Sequence, residues 1–196
     1  MDSKTLILSI TLIALLNQIT MAKNSERKTE TPKYEVINSF GSIEIREYPE
    51  LIMATTTLGD SYSSNSGRGF STVAGYIFGG NEENKKISMT APVVVEMSDK
   101  MEMSFIMPSK YTMDQLPKPS DSRISVHEER SKILAVIRFK GFVNDKKMKE
   151  YKMRLKAELD KNNLTQIGEY MFFGYNPPYR LINRRNEIAV EIKWDK

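Results

Sequence analysis

The side chains able to do chemistry in this 196-residue chain are carboxylates, tyrosines, basic residues and a single imidazole, His127, and cysteine is absent. That set excludes a thiol nucleophile, a thiolate zinc site, an iron–sulfur cluster, a disulfide framework and any multi-histidine metal centre. Glu44, Glu47, Tyr48 and Tyr76 could act as acids or bases, but no paired spacing among them demands catalysis. The 29 Lys and Arg against 25 Asp and Glu leave a net charge of +4, too slight and too dispersed for a nucleic-acid footprint. The Lys-rich run over 146–156 is interrupted by Glu150 and flanked by Asp145, Glu158 and Asp160, the pattern of a solvated helix face.

One domain must position these groups, and its limits follow from the N-terminus. Lys4 precedes a mostly apolar run over 6–16, and Thr20-Met21-Ala22 places small residues three and one positions before a cut. Residues 1–22 are therefore expected to be a secretory signal peptide, 23–33 a solvated flexible tether and 34–194 the folded domain. The apolar run is shorter than the ~20 residues that span a bilayer, so no stable membrane anchor is expected after cleavage. A secreted, extracellular chain would expose the sequon Asn163-Leu164-Thr165, making Asn163 a glycosylation site.

Within the domain, Val36, Ile43, Ile45 and the apolar residues over 51–58 alternate or cluster between turn signals, as paired strands do. Residues 67–78 carry Phe70, Val73, Ala74 and Ile77 on one helical face, and Gly79-Gly80 supplies a stop. Strands are expected over 87–97 and 101–107, followed by a proline-punctuated connection over 108–119. The second half repeats the first at an offset of 81 residues: Ile43-Glu44-Ile45 aligns with Ile124-Ser125-Val126, and Ala54 falls on Ala135 without a gap. A second helix is expected over 145–162, with Met148, Tyr151, Leu155 and Leu159 on one face and Asp145 as N-cap, then strands over 170–175 and 186–192. Two strand-strand-helix-strand-strand repeats make an α+β fold in which eight strands close toward a pseudo-twofold distorted β-barrel with two helices.

Five blocks carry a further resemblance: Phe40-Gly41-Ser42-Ile43-Glu44-Ile45-Arg46-Glu47-Tyr48, Tyr76-Ile77-Phe78-Gly79-Gly80-Asn81, Lys86-Ile87-Ser88-Met89-Thr90-Ala91-Pro92-Val93, Leu116-Pro117-Lys118-Pro119, and Gly174-Tyr175-Asn176-Pro177-Pro178 running into Asn183-Arg184-Arg185-Asn186-Glu187. In this order they make the chain resemble the SOUL family of haem-binding proteins. The resemblance implies the same pseudo-symmetric barrel and non-covalent binding of haem or another porphyrin in a shallow apolar groove beside the first helix.

Such a site needs an apolar floor and cations at one rim, with an iron ligand optional. Phe70, Val73, Ala74 and Ile77 are the expected floor, although a stripe at this spacing also suits ordinary core. The resemblance implies rim cations at Arg180, in the loop after the Gly-Tyr-Asn-Pro-Pro block, and at Arg68, one position from another basic site; Gly75 stands where some members carry Lys. Arg184 and Arg185 are expected to hold the loop through Glu187 or backbone carbonyls. The family's axial histidine position matches Glu47, and His127 is expected on an exposed strand. Met89 or Tyr76 could ligate iron in principle, but binding without a His axial ligand is expected. The overall expectation is a non-enzymatic carrier, buffer or scavenger of tetrapyrrole. The alternatives are an interaction module that has lost the ligand and a small-molecule hydrolase on the same fold.

Overall fold

The computed structural model describes residues 29–177, 180 and 182–194, so the expected signal peptide lies outside the described residues. Nine strands form one antiparallel sheet: β1 (Glu35–Phe40), β2 (Ile43–Tyr48), β3 (Leu51–Gly59), β4 (Val93–Glu96), β5 (Met101–Ile106), β6 (Ser125–Glu129), β7 (Lys132–Phe139), β8 (Thr165–Gly174) and β9 (Asn186–Lys193). Two helices, α1 (Tyr62–Ile77) and α2 (Asp145–Lys161), follow β3 and β7. The strand order is β1-β2-β7-β9-β8-β4-β5-β3-β6. Without β1 this order is unchanged when the two repeats are exchanged, which places the pseudo-twofold axis between β8 and β4.

The register obeys the same symmetry. Ile45 opposes Ala135 across β2 and β7, and Ala54 opposes Val126 across β3 and β6, so both pairs transform into each other at the 81-residue offset. β2 and β3 stand second and eighth in the sheet, yet only Pro49 and Glu50 join them. The sheet must therefore roll up on itself, bringing the end of β2 to the start of β3. It stays open, and β1 and β6 are its edges.

The helices and the larger core, which includes Val73, Ile77, Leu155 and Leu159, occupy one face of the sheet. On the other, inner face, Tyr48, Met53, Val94, Ile106, Leu134 and Phe173 form a second cluster.

Several boundaries differ from expectation for local reasons. β1 adds a ninth strand, pairing Phe40 with Ile43 across a turn in which Gly41 has φ +56°. The helix α1 starts at Tyr62 rather than 67 because its free N–H groups find acceptors: the Ser61 side chain accepts from Ser64 N–H, and Asp145 accepts from Tyr62 N–H (3.0 Å) and Ser63 N–H (3.2 Å). Asp145 is thus the first residue of α2, and Asn144 is the N-cap, accepting from Lys147 N–H at 2.9 Å. The strand expected over 87–97 shortens to Val93–Glu96, whereas β8 begins at Thr165 and passes an irregularity between Gln166 and Tyr170. The tether is docked by its last residues: Glu30 accepts from Ala91 N–H and Ser109 N–H, both at 2.8 Å.

Candidate functional site

Helix α1 gathers Phe70, Val73, Ala74 and Ile77 on one face, but that face meets the sheet. Val73, Ala74 and Ile77 are 0%, 7% and 1% exposed, and the half-buried Phe70 ring lies 5.1 Å from that of Phe105. The expected open apolar floor is therefore not made by these residues, because an amphipathic helix buries its apolar stripe first. The side of α1 that faces solvent carries Gly67, Arg68, Ser71 and Gly75, and helical spacing brings the 61%-exposed Phe78 into line with them. A Cβ added at Gly67 or Gly75 would meet nothing within 4 Å, so this surface is open.

A recess of about 670 Å³ separates this side from residues 120–123, with Arg68, Thr72, Tyr76 and Arg123 on its walls. Arg68 forms no ion pair among the described residues, whereas Arg123 grips Asp121 at 2.6 Å and holds that carboxyl down to about 2. The Tyr76 hydroxyl donates to Pro117 O at 2.9 Å, and burial and then the Glu83 charge push its pKa up. This phenol is committed to the fold. Nothing in the local pattern of residues 120–123 marked them, since only the fold brings that loop to the helix.

The exposed Arg180 lies outside this recess, in the β8–β9 loop. Arg184 braces that loop through the carbonyls of Pro177 (3.0 Å), Arg180 (2.9 Å) and Asn176 (3.3 Å), while Arg185 Nε donates to Glu187 at 2.9 Å. Both arginines thus do what their neighbours in sequence led one to expect. Asn163 is exposed, at φ +54°, just after α2. His127 departs from expectation: it is half-buried, opposes Met53 and lines a cavity on the inner face of the sheet, away from the helices.

That inner face also holds buried charges. Arg46 and Glu187 are 2% and 0% exposed and form two hydrogen bonds, from Nη1 (2.9 Å) and Nη2 (3.2 Å). Tyr175 donates to the same carboxylate at 2.9 Å, and the Tyr34 ring lies 4.4 Å from the Arg46 guanidinium. Burial works against the Arg46 charge, but Glu187 outweighs it and raises the pKa above its ordinary value. Tyr48 is pushed up to about 12 by burial, against the opposing pull of Arg46. Tyr175 is raised further, by burial and then by the Glu187 charge. Every partner here is satisfied, which suits a structural clasp better than a reactive centre. Among the described residues no group of three or more His, Asp or Glu is placed to hold a metal ion.

Known proteins resemble this chain in fold or in sequence. The crystal structure of the EcmrR C-terminal domain superposes with a TM-score of 0.61 over 83% of this chain and 99% of that domain, at 9% identity, a likeness of fold alone. "Heme-binding protein 2" of Mus musculus is 31% identical over 159 residues, covering 76% of this chain and 77% of the relative. The Homo sapiens protein of the same name is 30% identical over 158 residues, with the same two coverages. "Heme-binding protein 1" of Xenopus laevis is 25% identical over 156 residues, 75% of this chain and 82% of the relative. The SOUL heme-binding protein family matches residues 29–191, nearly the whole described domain, and the chain belongs to that family.

Proposed function

We propose that this protein binds haem or a related tetrapyrrole non-covalently beside α1 and acts as a carrier, buffer or scavenger rather than as an enzyme. The observation that carries this reading is family membership across residues 29–191, with relatives named for heme binding. The surface beside α1 supports it. A porphyrin is a flat apolar disc with two carboxylates, and here an open helix side runs from Arg68, which forms no ion pair among the described residues, to the exposed Phe78. The recess of about 670 Å³ falls in the range of small-molecule sites.

In this reading Arg68 holds one propionate at the rim and Arg180 reaches in from the β8–β9 loop as the second cation. Phe70, Val73, Ala74 and Ile77 back the helix against the sheet and keep its outer side rigid. When bound, haem supplies an iron centre for ligand or electron exchange. His127 lies on the other face of the sheet, which supports binding without a histidine axial ligand. The exposed Asn163 supports glycosylation along a secretory route, and N-terminal sequencing of the mature chain that finds Met1 intact would refute the cleaved leader.

The experiment is a haemin titration of residues 23–196 followed at the Soret band. A saturable shift is expected, and Gly75→Leu, which places a branched side chain on the open surface, should abolish it while leaving the fold intact by circular dichroism. Arg68→Ala and Arg180→Ala should each weaken binding about tenfold, the equivalent of one partly exposed charge-assisted hydrogen bond. His127→Ala should bind like the unaltered protein. No Soret shift, or full affinity in Gly75→Leu, would overturn the proposal.

A further inference from the structure

The register of the sheet brings two loops to one end of the molecule. Asn186 opposes both Phe139 and Gly174, so the β7–α2 connection and the β8–β9 loop leave the sheet side by side. Asn186 Nδ2 donates to Gly141 O at 2.7 Å, and the Arg184 guanidinium lies 5.1 Å from the centre of the Phe142 ring. The same guanidinium donates to the carbonyls of Asn176, Pro177 and Arg180, which closes the stretch that carries Ile182 into a turn. Two apolar side chains held together in this way are nonetheless left in solvent: Phe142 is 58% and Ile182 74% exposed. One exposed apolar residue is ordinary, but two from separate loops, joined by a shared arginine, make a patch.

The charge around this patch has one sign. No Asp or Glu occurs over 138–144 or over 170–186. Lys140 and Arg180 are exposed beside the two apolar residues, and Lys147 Nζ donates to Lys140 O at 2.8 Å, one residue from Gly141. Asp145, three positions after Phe142, is taken up by the Tyr62 and Ser63 N–H groups, and Asp60, exposed before Ser61, leaves the cations in excess. A solvated basic loop has no need of an exposed Phe and Ile. Two such side chains also give too little apolar area for the core of a protein interface, from which lysine is depleted. Apolar side chains ringed by cations match an anionic lipid surface, where the former enter the acyl boundary and the latter meet the head groups.

We propose that this end of the molecule docks reversibly on an anionic lipid bilayer, with Phe142 and Ile182 entering the interface and Lys140, Lys147 and Arg180 at the head groups. Docking leaves the carbonyls of Asn176, Pro177 and Arg180 satisfied, because Arg184 already donates to all three. Two apolar side chains with a few cations give peripheral, salt-sensitive binding, not insertion across the bilayer. Arg180 is shared with the proposed tetrapyrrole rim, but docking does not require that ligand.

The test is sedimentation of residues 23–196, without tetrapyrrole, with vesicles of phosphatidylcholine alone or mixed equally with phosphatidylserine. The apolar run over 6–16 is left out because it would itself bind lipid. Binding to the mixed vesicles should be about tenfold tighter than to the neutral ones, and the difference should shrink as salt is raised. Phe142→Ser, Ile182→Ser and Lys140→Glu, all at exposed positions, should each weaken binding about fivefold, with circular dichroism confirming the fold. Met153→Ser, similarly exposed at 64% on the basic side of α2, should change nothing. Equal binding to both vesicles, no sedimentation with either, loss of binding in Met153→Ser, or full binding by the Phe142→Ser, Ile182→Ser double variant would overturn the proposal; the last would show a charge-only attraction open to any polyanion. Failure here leaves the haemin titration, made without vesicles, as a separate result.

Discussion

Replacing Glu187 by Gln preserves shape and removes the charge at the centre of the inner-face clasp. The carboxylate accepts from Arg46 twice, from Tyr175 and from Arg185, and it is fully buried. An amide can offer only one acceptor oxygen, and its NH₂ must face a donor. Arg46, at 2% exposure, cannot turn to water and keeps only the more exposed Glu44, at 2.7 Å, whereas the half-buried Arg185 can turn in part. Breaking a buried pair from one side costs about 3–5 kcal/mol, and the remaining Glu44 holds the loss toward the lower end. Against a total stability of about 5–15 kcal/mol, this is a large fraction. With a urea dependence of about 2 kcal/mol per molar, the midpoint should fall by roughly 1.5–2.5 M at constant slope. Arg46→Met combined with Glu187→Leu should recover part of that loss, because it removes the under-paired guanidinium as well as its buried partner. A Glu187→Gln midpoint within about 0.5 M of the unaltered protein would correspond to about 1 kcal/mol and refute the reasoning, showing that water reaches Arg46.

The helix ends and glycines give three further expectations. Asp145→Ala removes the acceptor for Tyr62 and Ser63 N–H and should cost about 1 kcal/mol at pH 7 by thermal melting. Because the Ser63 hydroxyl and then backbone N–H groups lower the Asp145 pKa, its contribution is present above the ordinary carboxyl value and is lost as pH falls through the lower folded one; the gap between the two proteins should narrow below about pH 4. Gly67→Ala, with open space at its Cβ, should raise stability by about 0.5–1 kcal/mol through helix propensity. Gly80→Ala should lower it by about 1–3 kcal/mol, because its Cβ would stand 2.7 Å from the backbone oxygen of Gly75; a neutral result in urea denaturation would refute this contact.

Local periodicity carried the repeat, both helix stripes and the loop-bracing arginines, because each rests on neighbours in sequence. The 81-residue offset even carried strand register, since Ile45–Ala135 and Val126–Ala54 are one pairing used twice. Contacts between distant segments were not legible. The start of α1 depends on Asp145, 83 positions after Tyr62. Arg46 and Glu44 alternate with Ile43 and Ile45, but the rolled sheet covers both of its faces and buries Arg46, which no local pattern shows. The stripe on α1 was similarly ambiguous, since core and groove demand the same spacing, and the pairing of Phe70 with Phe105 resolves it toward core.

Duplication explains why one inner face carries both a clasp and a cavity. Two equal halves would place a guanidinium–carboxylate pair on either side of the axis, each incurring a desolvation cost that excellent geometry must offset. Here one half keeps the pair and adds Tyr34, Tyr48 and Tyr175 around it. The other half substitutes His127 for the arginine, Glu129 for Tyr48 and Glu96 for Phe173, losing bulk and built-in cation together. Glu102, the counterpart of the fully buried Glu187, is exposed, so water solvates it without an arginine. Glu96 beside it meets the Glu102 charge, and Lys132 offsets part of that field. The half that lost its arginine thus replaces a buried pair by solvated carboxylates and avoids the desolvation cost that the other half must offset.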